Sequence, residues 1–219
     1  MIRAVLLDMD GTVLDTERIH KVCWQKAMSE ADCNCEDKVY FDLVGLNHKS
    51  ILEYFVDNFG FTHDRFRKME TAARDYSRAY TAEHGVPMKK GFLELSDYLR
   101  EQSIKIAAVT SSTCLEARHN FRGAGIEERF DLIIGGDSVT AGKPSPEPYL
   151  KAARALGFSS SECLAVEDSA NGVRSAHAAG IRCVYIKDIV DIAEEAKALA
   201  SYKANTLDEL IKIIGDLNR

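Results

Sequence analysis

The chain has 219 residues, of which 46% are hydrophobic and 28% charged, a composition typical of a globular protein with a sizeable core. Its 28 basic and 34 acidic residues give a net charge of −6, which disfavours nucleic acid and anionic membranes as partners. No apolar run approaches the roughly 18 residues that a membrane span needs, so no membrane association is expected.

The six cysteines are scattered and indicate a reduced protein. Cys33 and Cys35 form a C-x-C pair, but the missing second pair disfavours a structural zinc. Cys163 and Cys183 fall in predicted strands and are expected to be small core residues. Because the sequence starts in a predicted core strand, we expect no signal peptide and a cytoplasmic location.

The first predicted strand, residues 4–7, is followed by two alternating acids, Asp8 and Asp10, and then by Gly11 and Thr12. Period-two alternation places both carboxylates on one side of the extended backbone, where they need a cation or a shared proton. A nucleophilic carboxylate beside a proton-shuttling one, around a divalent metal, suits phosphoryl transfer.

Two other interpretations of this acidic motif are simpler. Asp-Gly is a common turn dipeptide, and that alternative stays open for the motif taken alone. A calcium-binding EF-hand loop also begins with D-x-D, but it requires different residues at the positions of Thr12, Val13 and Ile19. The EF-hand interpretation is therefore excluded.

Short apolar runs alternate with longer helical patterns, which predicts a parallel α/β sheet. One helix is predicted from Pro146, with Ser145 as its cap and Gly157 at its end. Another is predicted between Ser169 and Gly180. The predicted strands are residues 4–7, 104–109, 132–134, 164–166 and 183–186.

The segment of residues 16–86 lacks strand patterns and shows helical spacing, for example at Ile51, Tyr54, Phe55 and Phe59. We predict a core domain of residues 1–15 and 87–219 and a helical cap domain of residues 16–86. The insert follows the first strand, whose carboxyl end is where parallel α/β sheets bind ligands, so it is placed to act as a lid. The Lys89-Lys90-Gly91 stretch is expected to be a solvated return to the core.

Other predicted strands also lead into polar residues. Thr110, Ser111 and Ser112 follow the second strand, and Glu167 and Asp168 follow the fourth. Lys143-Pro144 lies in a proline-rich loop ahead of the fourth strand. Taken singly, residues 110–112 could be a helix cap, Lys143 an exposed charge, and the Glu167-Asp168 pair a solvated turn. Their convergence on one sheet edge favours a catalytic site.

In this order and spacing, the chain resembles the haloacid dehalogenase-like phosphotransferase superfamily, in its branch with a helical cap. Four blocks carry the resemblance: residues 8–17 (DMDGTVLDTE), 110–112 (TSS), 142–146 (GKPSP) and 167–172 (EDSANG). It implies an α/β fold, with a Rossmann-like parallel sheet core, helices on both faces and a helical cap inserted after the first strand.

The resemblance also implies catalytic roles. Asp8 would attack phosphorus and form an aspartyl-phosphate, while Asp10 would act as general acid and then general base. Asp10 favours phosphate chemistry over dehalogenation, because dehalogenase relatives lack an acid/base at that position. Thr110 and the Ser111 amide would hold the phosphoryl group, and Lys143 would neutralise its charge.

The cofactor implied by the resemblance is Mg²⁺. The metal would be held by Asp8, the Asp10 carbonyl and Asp168, with Glu167 near or on it. Hard oxygen ligands suit magnesium, which stays partly hydrated and accepts phosphate oxygens.

Near relatives divide into phosphatases of small phosphorylated metabolites and β-phosphoglucomutases. Mutases resemble this chain in having His20 at the start of the cap and Trp24 one turn later. The resemblance implies that His20 pairs with Asp10. The alternative interpretation is that His20 is an ordinary histidine on a helix surface. Mutases carry a substrate-phosphate arginine where this chain has His48, next to Lys49. A bisphosphate intermediate needs the bidentate fork of arginine, for which His or Lys is a weaker substitute.

We therefore predict a phosphatase of a small phosphorylated metabolite, by default a sugar phosphate, with a β-phosphoglucomutase as the alternative. A non-catalytic binding protein is disfavoured, because Asp8, Asp10 and Lys143 are all present. A monomer is expected, although no residue pattern determines the oligomeric state. The predicted substrate-binding residues are His20, Trp24, Gly45, Asn47, His48, Lys49, Ser111 and Ser112.

Overall fold

Six parallel strands form the sheet at the centre of the larger folded unit. The structure, a computed structural model, describes every residue except Asn34, Cys35, Gly45 and Asn47. The strands are β1 Ala4–Leu7, β2 Lys105–Val109, β3 Leu132–Ile134, β4 Cys163–Glu167, β5 Arg182–Ile186 and β6 Tyr202–Ala204. Their order across the sheet is β3-β2-β1-β4-β5-β6, which confirms the predicted parallel α/β architecture.

The α-helices follow the strands in the alternation that the sequence predicts. In chain order they are α1 Glu17–Glu30, α2 Asp37–Leu43, α3 His48–Phe59, α4 His63–His84, α5 Phe92–Glu101, α6 Cys114–Gly123, α7 Glu147–Leu156, α8 Ala170–Ala178, α9 Glu194–Lys197 and α10 Glu209–Leu217. Within the described ranges, no helix has both the length and the apolar composition needed to cross a bilayer.

Both faces of the sheet are covered, which explains why its central strand β1 is apolar at every position. In β1, Val5 and Leu7 belong to a cluster that includes buried residues of α5, α6 and α10. Ala4 and Leu6 belong to the opposite cluster, with buried residues of α7 and α8. Alternate residues of a strand point to opposite faces, so a strand buried on both faces is apolar at every position. Cys163 and Cys183 are buried in this core, as predicted.

Besides one-residue shifts at the ends of β2, β4 and β5, one strand and one helix start in the core differ from the sequence prediction. The sequence does not predict β6, because its Tyr-Lys-Ala run is only three residues long and carries a charge. Helix α7 begins at Glu147, one residue later than predicted, and Ser145 is not its N-cap residue. The Ser145 hydroxyl instead accepts a hydrogen bond of 3.3 Å from the Glu147 amide.

The other helix boundaries agree with the prediction. Gly157 ends α7 with φ of 78°, a left-handed conformation that glycine adopts without strain. Ser169 caps α8, its hydroxyl accepting a hydrogen bond of 3.0 Å from the Gly172 amide.

The chain divides into two compact units, Met1–Asp15 with Val86–Arg219 and Thr16–Gly85. The smaller unit contains α1 to α4 and, among its described residues, no strand. It has its own core, in which the rings of Phe55 and Phe66 lie 5.6 Å apart and Trp24 stacks on Phe55 at 6.1 Å. That this unit works as a cap stays a prediction.

The chain leaves and re-enters the larger unit on two adjacent segments. Leu14 and Met88 form an antiparallel bridge, and the Asp15 amide donates to the Pro87 carbonyl at 2.9 Å. The expectation of a solvated return is wrong for Lys89, whose side chain is only 18% exposed because it pairs with Asp188.

Candidate active site

The carboxyl ends of three neighbouring strands bring the predicted catalytic residues together. Leu7, at the end of β1, pairs with Ala108 of β2 and with Val166 of β4. The residues that follow these positions therefore lie side by side, because parallel strands end at the same edge of a sheet. The Asp8 amide extends the ladder by donating to the Val166 carbonyl at 3.0 Å.

Lys143 reaches into this edge from the loop that precedes α7. Its ammonium group donates to Asp8, to Glu167 at 2.5 Å and to the Val109 carbonyl at 2.9 Å. The side chain is only 6% exposed, so these charge-assisted hydrogen bonds are shielded from water. The peptide bond between Lys143 and Pro144 is cis.

The loop that carries Lys143 is held by a carboxylate at the start of α7. Glu147 accepts hydrogen bonds of 2.8 Å from the backbone amides of both Thr140 and Ala141. These bonds lower the pKa of Glu147, because they favour its ionised form. Glu147 is a supporting residue that the sequence analysis did not identify.

The buried charges of the site are not balanced by its own residues. Burial raises the pKa of Asp8 to about 8, with the charges of Glu167 and Asp10 acting in the same direction and Lys143 opposing them. Burial would lower the pKa of Lys143, but the charges of Asp8 and Glu167 outweigh it and hold that pKa well above its usual range. One lysine therefore faces an excess of carboxylates, an environment that favours binding of a further cation.

Glu167 is fully buried and its carboxylate is satisfied from several sides. Besides Lys143, the Tyr149 hydroxyl donates to it at 2.7 Å and the Ser169 hydroxyl at 3.1 Å. Tyr149 is also absent from the sequence prediction. The available signal was a tyrosine on the apolar face of a predicted helix, where a buried hydroxyl requires a partner.

Three acidic side chains form a candidate metal centre. Oxygen atoms of Asp8, Glu167 and Asp168 all lie within 4.8 Å of one another, and all three residues are buried. Thr12 orients Asp168 by donating to its Oδ1 at 3.0 Å. Three converging carboxylates are a hard donor set that fits a divalent cation. Asp10 was predicted to contribute its carbonyl, and that contribution stays a prediction.

Asp10, the predicted general acid and base, lies beside the hydroxyl residues that follow β2. The Ser112 hydroxyl is 3.3 Å from Asp10 Oδ2, and the Ser112 amide donates to Thr110 Oγ1 at 3.1 Å. Ser111 lies between Thr110 and Ser112 in the chain and is exposed. The larger unit thus gathers the core residues that the sequence singles out, whose individual roles remain predictions.

The predicted substrate residues of the helical unit fall into two groups. His20 and Trp24 line a cavity of about 150 Å³ together with Glu17, Tyr40 and apolar side chains. His48 and Lys49 begin α3, where His48 Nδ1 lies 2.7 Å from Glu70 and Lys49 Nζ 3.7 Å from Glu53. The predictions for Gly45 and Asn47, and the Cys35 half of the disfavoured zinc pair, lie outside the described residues.

Known proteins resemble this chain in both sequence and fold. The chain is 26% identical over 221 residues to the phosphorylated carbohydrates phosphatase of Thermotoga maritima, covering 98% of this chain and 99% of that protein. A crystal structure of mutant CbbY from Rhodobacter sphaeroides, in complex with xylulose-(1,5)bisphosphate, superposes with a TM-score of 0.82 at 27% identity and covers 96% of each chain.

A third known structure has a lower sequence identity and shows similarity of the fold alone. The β-phosphoglucomutase of Clostridium difficile matches with a TM-score of 0.80 at 23% identity, over 99% of this chain and 96% of that one. The family model of the haloacid dehalogenase-like hydrolases matches residues 5–186, which include all four motif blocks. The chain belongs to the haloacid dehalogenase-like hydrolase family, as its motifs predict.

Proposed function

We propose that this protein is a Mg²⁺-dependent phosphatase that hydrolyses a small phosphorylated metabolite through an aspartyl-phosphate on Asp8. The observation that carries the proposal is the buried contact of Lys143 with Asp8 and Glu167, beside Asp168. This arrangement sets a nucleophile, a fixed positive charge and a metal-binding carboxylate at one point, as phosphoryl transfer requires.

The chemical class of the substrate rests on the relatives. One full-length relative is named a phosphatase of phosphorylated carbohydrates, and the CbbY structure holds a sugar bisphosphate. A sugar phosphate is therefore the substrate class that we propose first.

Magnesium fits the donor set better than a softer metal. Asp8, Glu167 and Asp168 offer only carboxylate oxygens, and Mg²⁺ prefers such ligands while retaining several waters. When bound, the ion would polarise the phosphoryl oxygens and offset the excess negative charge around Asp8. Burial, the largest cause, raises the pKa of Asp8, and a cation bound beside it would favour its ionised form.

The first half of the reaction uses Asp8 and Asp10. A carboxylate oxygen of Asp8 attacks phosphorus while the bond from phosphorus to the ester oxygen breaks. Asp10 donates its proton to the departing alkoxide, and Lys143 stabilises the negative charge on the transferring group. The Ser112 hydroxyl, 3.3 Å from Asp10, helps to hold that carboxyl group in position.

The second half releases phosphate. Asp10, now ionised, removes a proton from a water molecule whose oxygen attacks phosphorus. The bond between phosphorus and Asp8 breaks, which restores the carboxylate and frees inorganic phosphate. Thr110, whose Oγ1 accepts a hydrogen bond from the Ser112 amide, lies on the same loop as the proposed phosphoryl-binding amide of Ser111.

Two side-chain pairs in the helical unit disfavour a mutase. A mutase must grip a second phosphate, yet the histidine at the arginine position, His48, is already paired with Glu70 at 2.7 Å. Its neighbour Lys49 is paired with Glu53 at 3.7 Å, and that lysine side chain is 83% exposed. Each of these two side chains is thus accompanied by a carboxylate, which would repel a second phosphate. A hydrolase needs no such grip.

The test is phosphate release from a panel of phosphosugars, nucleotides and phosphoglycolate, with Mg²⁺ and then with EDTA. We expect release from at least one phosphosugar, loss with EDTA and recovery with added Mg²⁺. Turnover that persists in EDTA would contradict the metal assignment. In parallel, β-glucose 1-phosphate should not convert to glucose 6-phosphate; isomerisation stimulated by glucose 1,6-bisphosphate would establish the mutase instead.

A further inference from the structure

Asp188 is a buried acid beside the candidate metal centre that no motif singles out. It follows β5 at the same edge of the sheet as Asp8 and Glu167, and its side chain is only 4% exposed. Lys89 donates to its Oδ1 at 2.5 Å. Its other oxygen, Oδ2, has no hydrogen-bond partner anywhere in the part of the chain that the structure describes.

The unpartnered oxygen lies close to the carboxylate of Asp168. Both carboxylates cover Gly11: a Cβ built on that glycine would lie 2.9 Å from Asp188 Oδ2 and 2.9 Å from the Asp168 carboxyl carbon. The backbone of Gly11 has φ of 78°, so glycine provides both the conformation and the space at this point. Asp188 and Asp168 are therefore close neighbours across a residue without a side chain.

This arrangement is unfavourable unless a hydrogen-bond donor lies between the two acids. A buried carboxylate oxygen without a donor is destabilising, because it has lost its hydration and gained no hydrogen bond in exchange. Two neighbouring carboxylates add electrostatic repulsion. Lys89 offsets one charge, but it bonds to Oδ1 and leaves Oδ2 unsatisfied. A water molecule that is itself polarised by a cation would supply the missing donor.

We propose that Asp188 is a positioning residue of the metal site, whose Oδ2 accepts a hydrogen bond from a water in the hydration shell of the divalent cation. The inference rests on the proposed function, since it requires a cation at Asp8, Glu167 and Asp168. Mg²⁺ keeps several of its waters in protein sites, and such waters are strong donors. Partners of this kind change metal affinity by about 10- to 100-fold.

A purely structural role makes a different prediction. If Asp188 only anchors Lys89, beside the two segments by which the chain leaves and re-enters the larger unit, its replacement lowers thermal stability without changing metal affinity. If it holds a metal-bound water, Asp188→Asn weakens metal binding even where the protein stays folded. An asparagine that gives its oxygen to Lys89 would turn its NH₂ group toward the position of that water.

The experiment measures Mn²⁺ binding to the full chain by the electron paramagnetic resonance signal of free Mn²⁺, with Mg²⁺ as competitor. Wild type should bind one ion, and Asp188→Asn should bind it about 10- to 100-fold more weakly. The control is Asp191→Asn, three residues along the chain, since Asp191 pairs with Lys197 at 2.8 Å and accepts from Tyr185 at 2.8 Å. Its affinity should stay within twofold of wild type.

Unfolding temperatures in EDTA establish that each variant is folded, and Asp188→Ala provides a second test if Asp188→Asn does not fold. The alanine should weaken Mn²⁺ binding in the same direction. Equal affinities for wild type and a folded Asp188 variant would overturn this inference while leaving the proposed function intact. If wild type itself binds neither Mn²⁺ nor Mg²⁺, the proposed function fails first.

Discussion

Tyr149 donates a hydrogen bond of 2.7 Å to Glu167 at a point where neither side chain has any exposed surface. Glu167 also accepts from Lys143, which in turn contacts Asp8. The tyrosine on α7 thus fixes the carboxylate that fixes the lysine beside the proposed nucleophile. A chain of buried hydrogen bonds is rigid when every member is satisfied, and it is sensitive to the loss of any one.

Replacement of Tyr149 by phenylalanine should therefore destabilise the protein. The change leaves Glu167 with one donor fewer, and lost hydrogen bonds to buried charged groups cost about 1.5–3 kcal/mol. Urea unfolding should show that reduction in the free energy of unfolding. Tyr202→Phe is the matched control, because the described residues provide no hydrogen-bond partner for its hydroxyl. Equal stability of the two variants would mean that the Tyr149 bond contributes nothing.

Most of the sheet could be predicted from the sequence because its strands are short apolar runs that end at polar residues. Strand β3 has the predicted bounds, and β4 extends the predicted run by one residue at each end. The acids and hydroxyls that follow the strands could be predicted to meet because all the strands are parallel. Those predictions required only local patterns and one rule of sheet geometry.

The supporting residues could not be predicted, because their roles depend on partners that are distant in the sequence. Lys89 and Asp188 are 99 positions apart, and nothing around either residue indicates the other. Tyr149 has the same sequence pattern as any aromatic residue on a buried helix face. Strand β6 is too short and too polar for its pattern to outweigh a loop interpretation. In each case tertiary contacts, not local propensity, determine the outcome.

Asp8→Asn should abolish phosphate release while the protein remains folded. The amide has nearly the same shape as the carboxylate, but it is a poor nucleophile and a poor metal ligand. Activity should fall below detection in the phosphate assay, with a thermal unfolding curve measured alongside. Asp216→Asn serves as the control, because that acid pairs with Arg219 at the C-terminus and should leave turnover unchanged. Residual turnover near the wild-type rate would remove Asp8 from the mechanism.

Asp10→Asn should slow turnover without eliminating the first chemical step. General acid–base catalysis contributes about 10²- to 10⁴-fold, so kcat should fall within that range for a sugar phosphate. With p-nitrophenyl phosphate the leaving group needs no proton, and the defect should shift to hydrolysis of the intermediate. Intact-protein mass spectrometry after rapid acid quench should then detect one added phosphoryl group. An unchanged rate, or no accumulation, would argue against Asp10 as the acid and base.

Glu147 should make the stability of the Lys143 loop depend on pH. Hydrogen bonds from the Thr140 and Ala141 amides lower the pKa of Glu147 in the folded protein. Its stabilising effect is therefore complete above about pH 4.3, the ordinary pKa of an unfolded glutamate, and disappears as pH falls through the lower folded value. Glu147→Gln should unfold at a lower temperature than wild type at about pH 7, and this difference should shrink toward about pH 3. A difference that stays constant with pH would show that the ionised form has no special role.

Gly172→Ala should disturb the site from within α8. A Cβ at this position would overlap the carboxylate of Glu167, which Lys143 and Tyr149 hold in place. The carboxylate cannot move without breaking buried hydrogen bonds, so overpacking should cost about 1–3 kcal/mol and lower kcat as well. Gly215→Ala in α10 is the matched control, because its nearest neighbouring atom, the Tyr98 hydroxyl, would be 3.9 Å away. Since alanine favours helix by up to about 1 kcal/mol over glycine, that control should be neutral or more stable. Similar stability changes in the two variants, measured by urea unfolding, would contradict the close packing of Gly172 against Glu167.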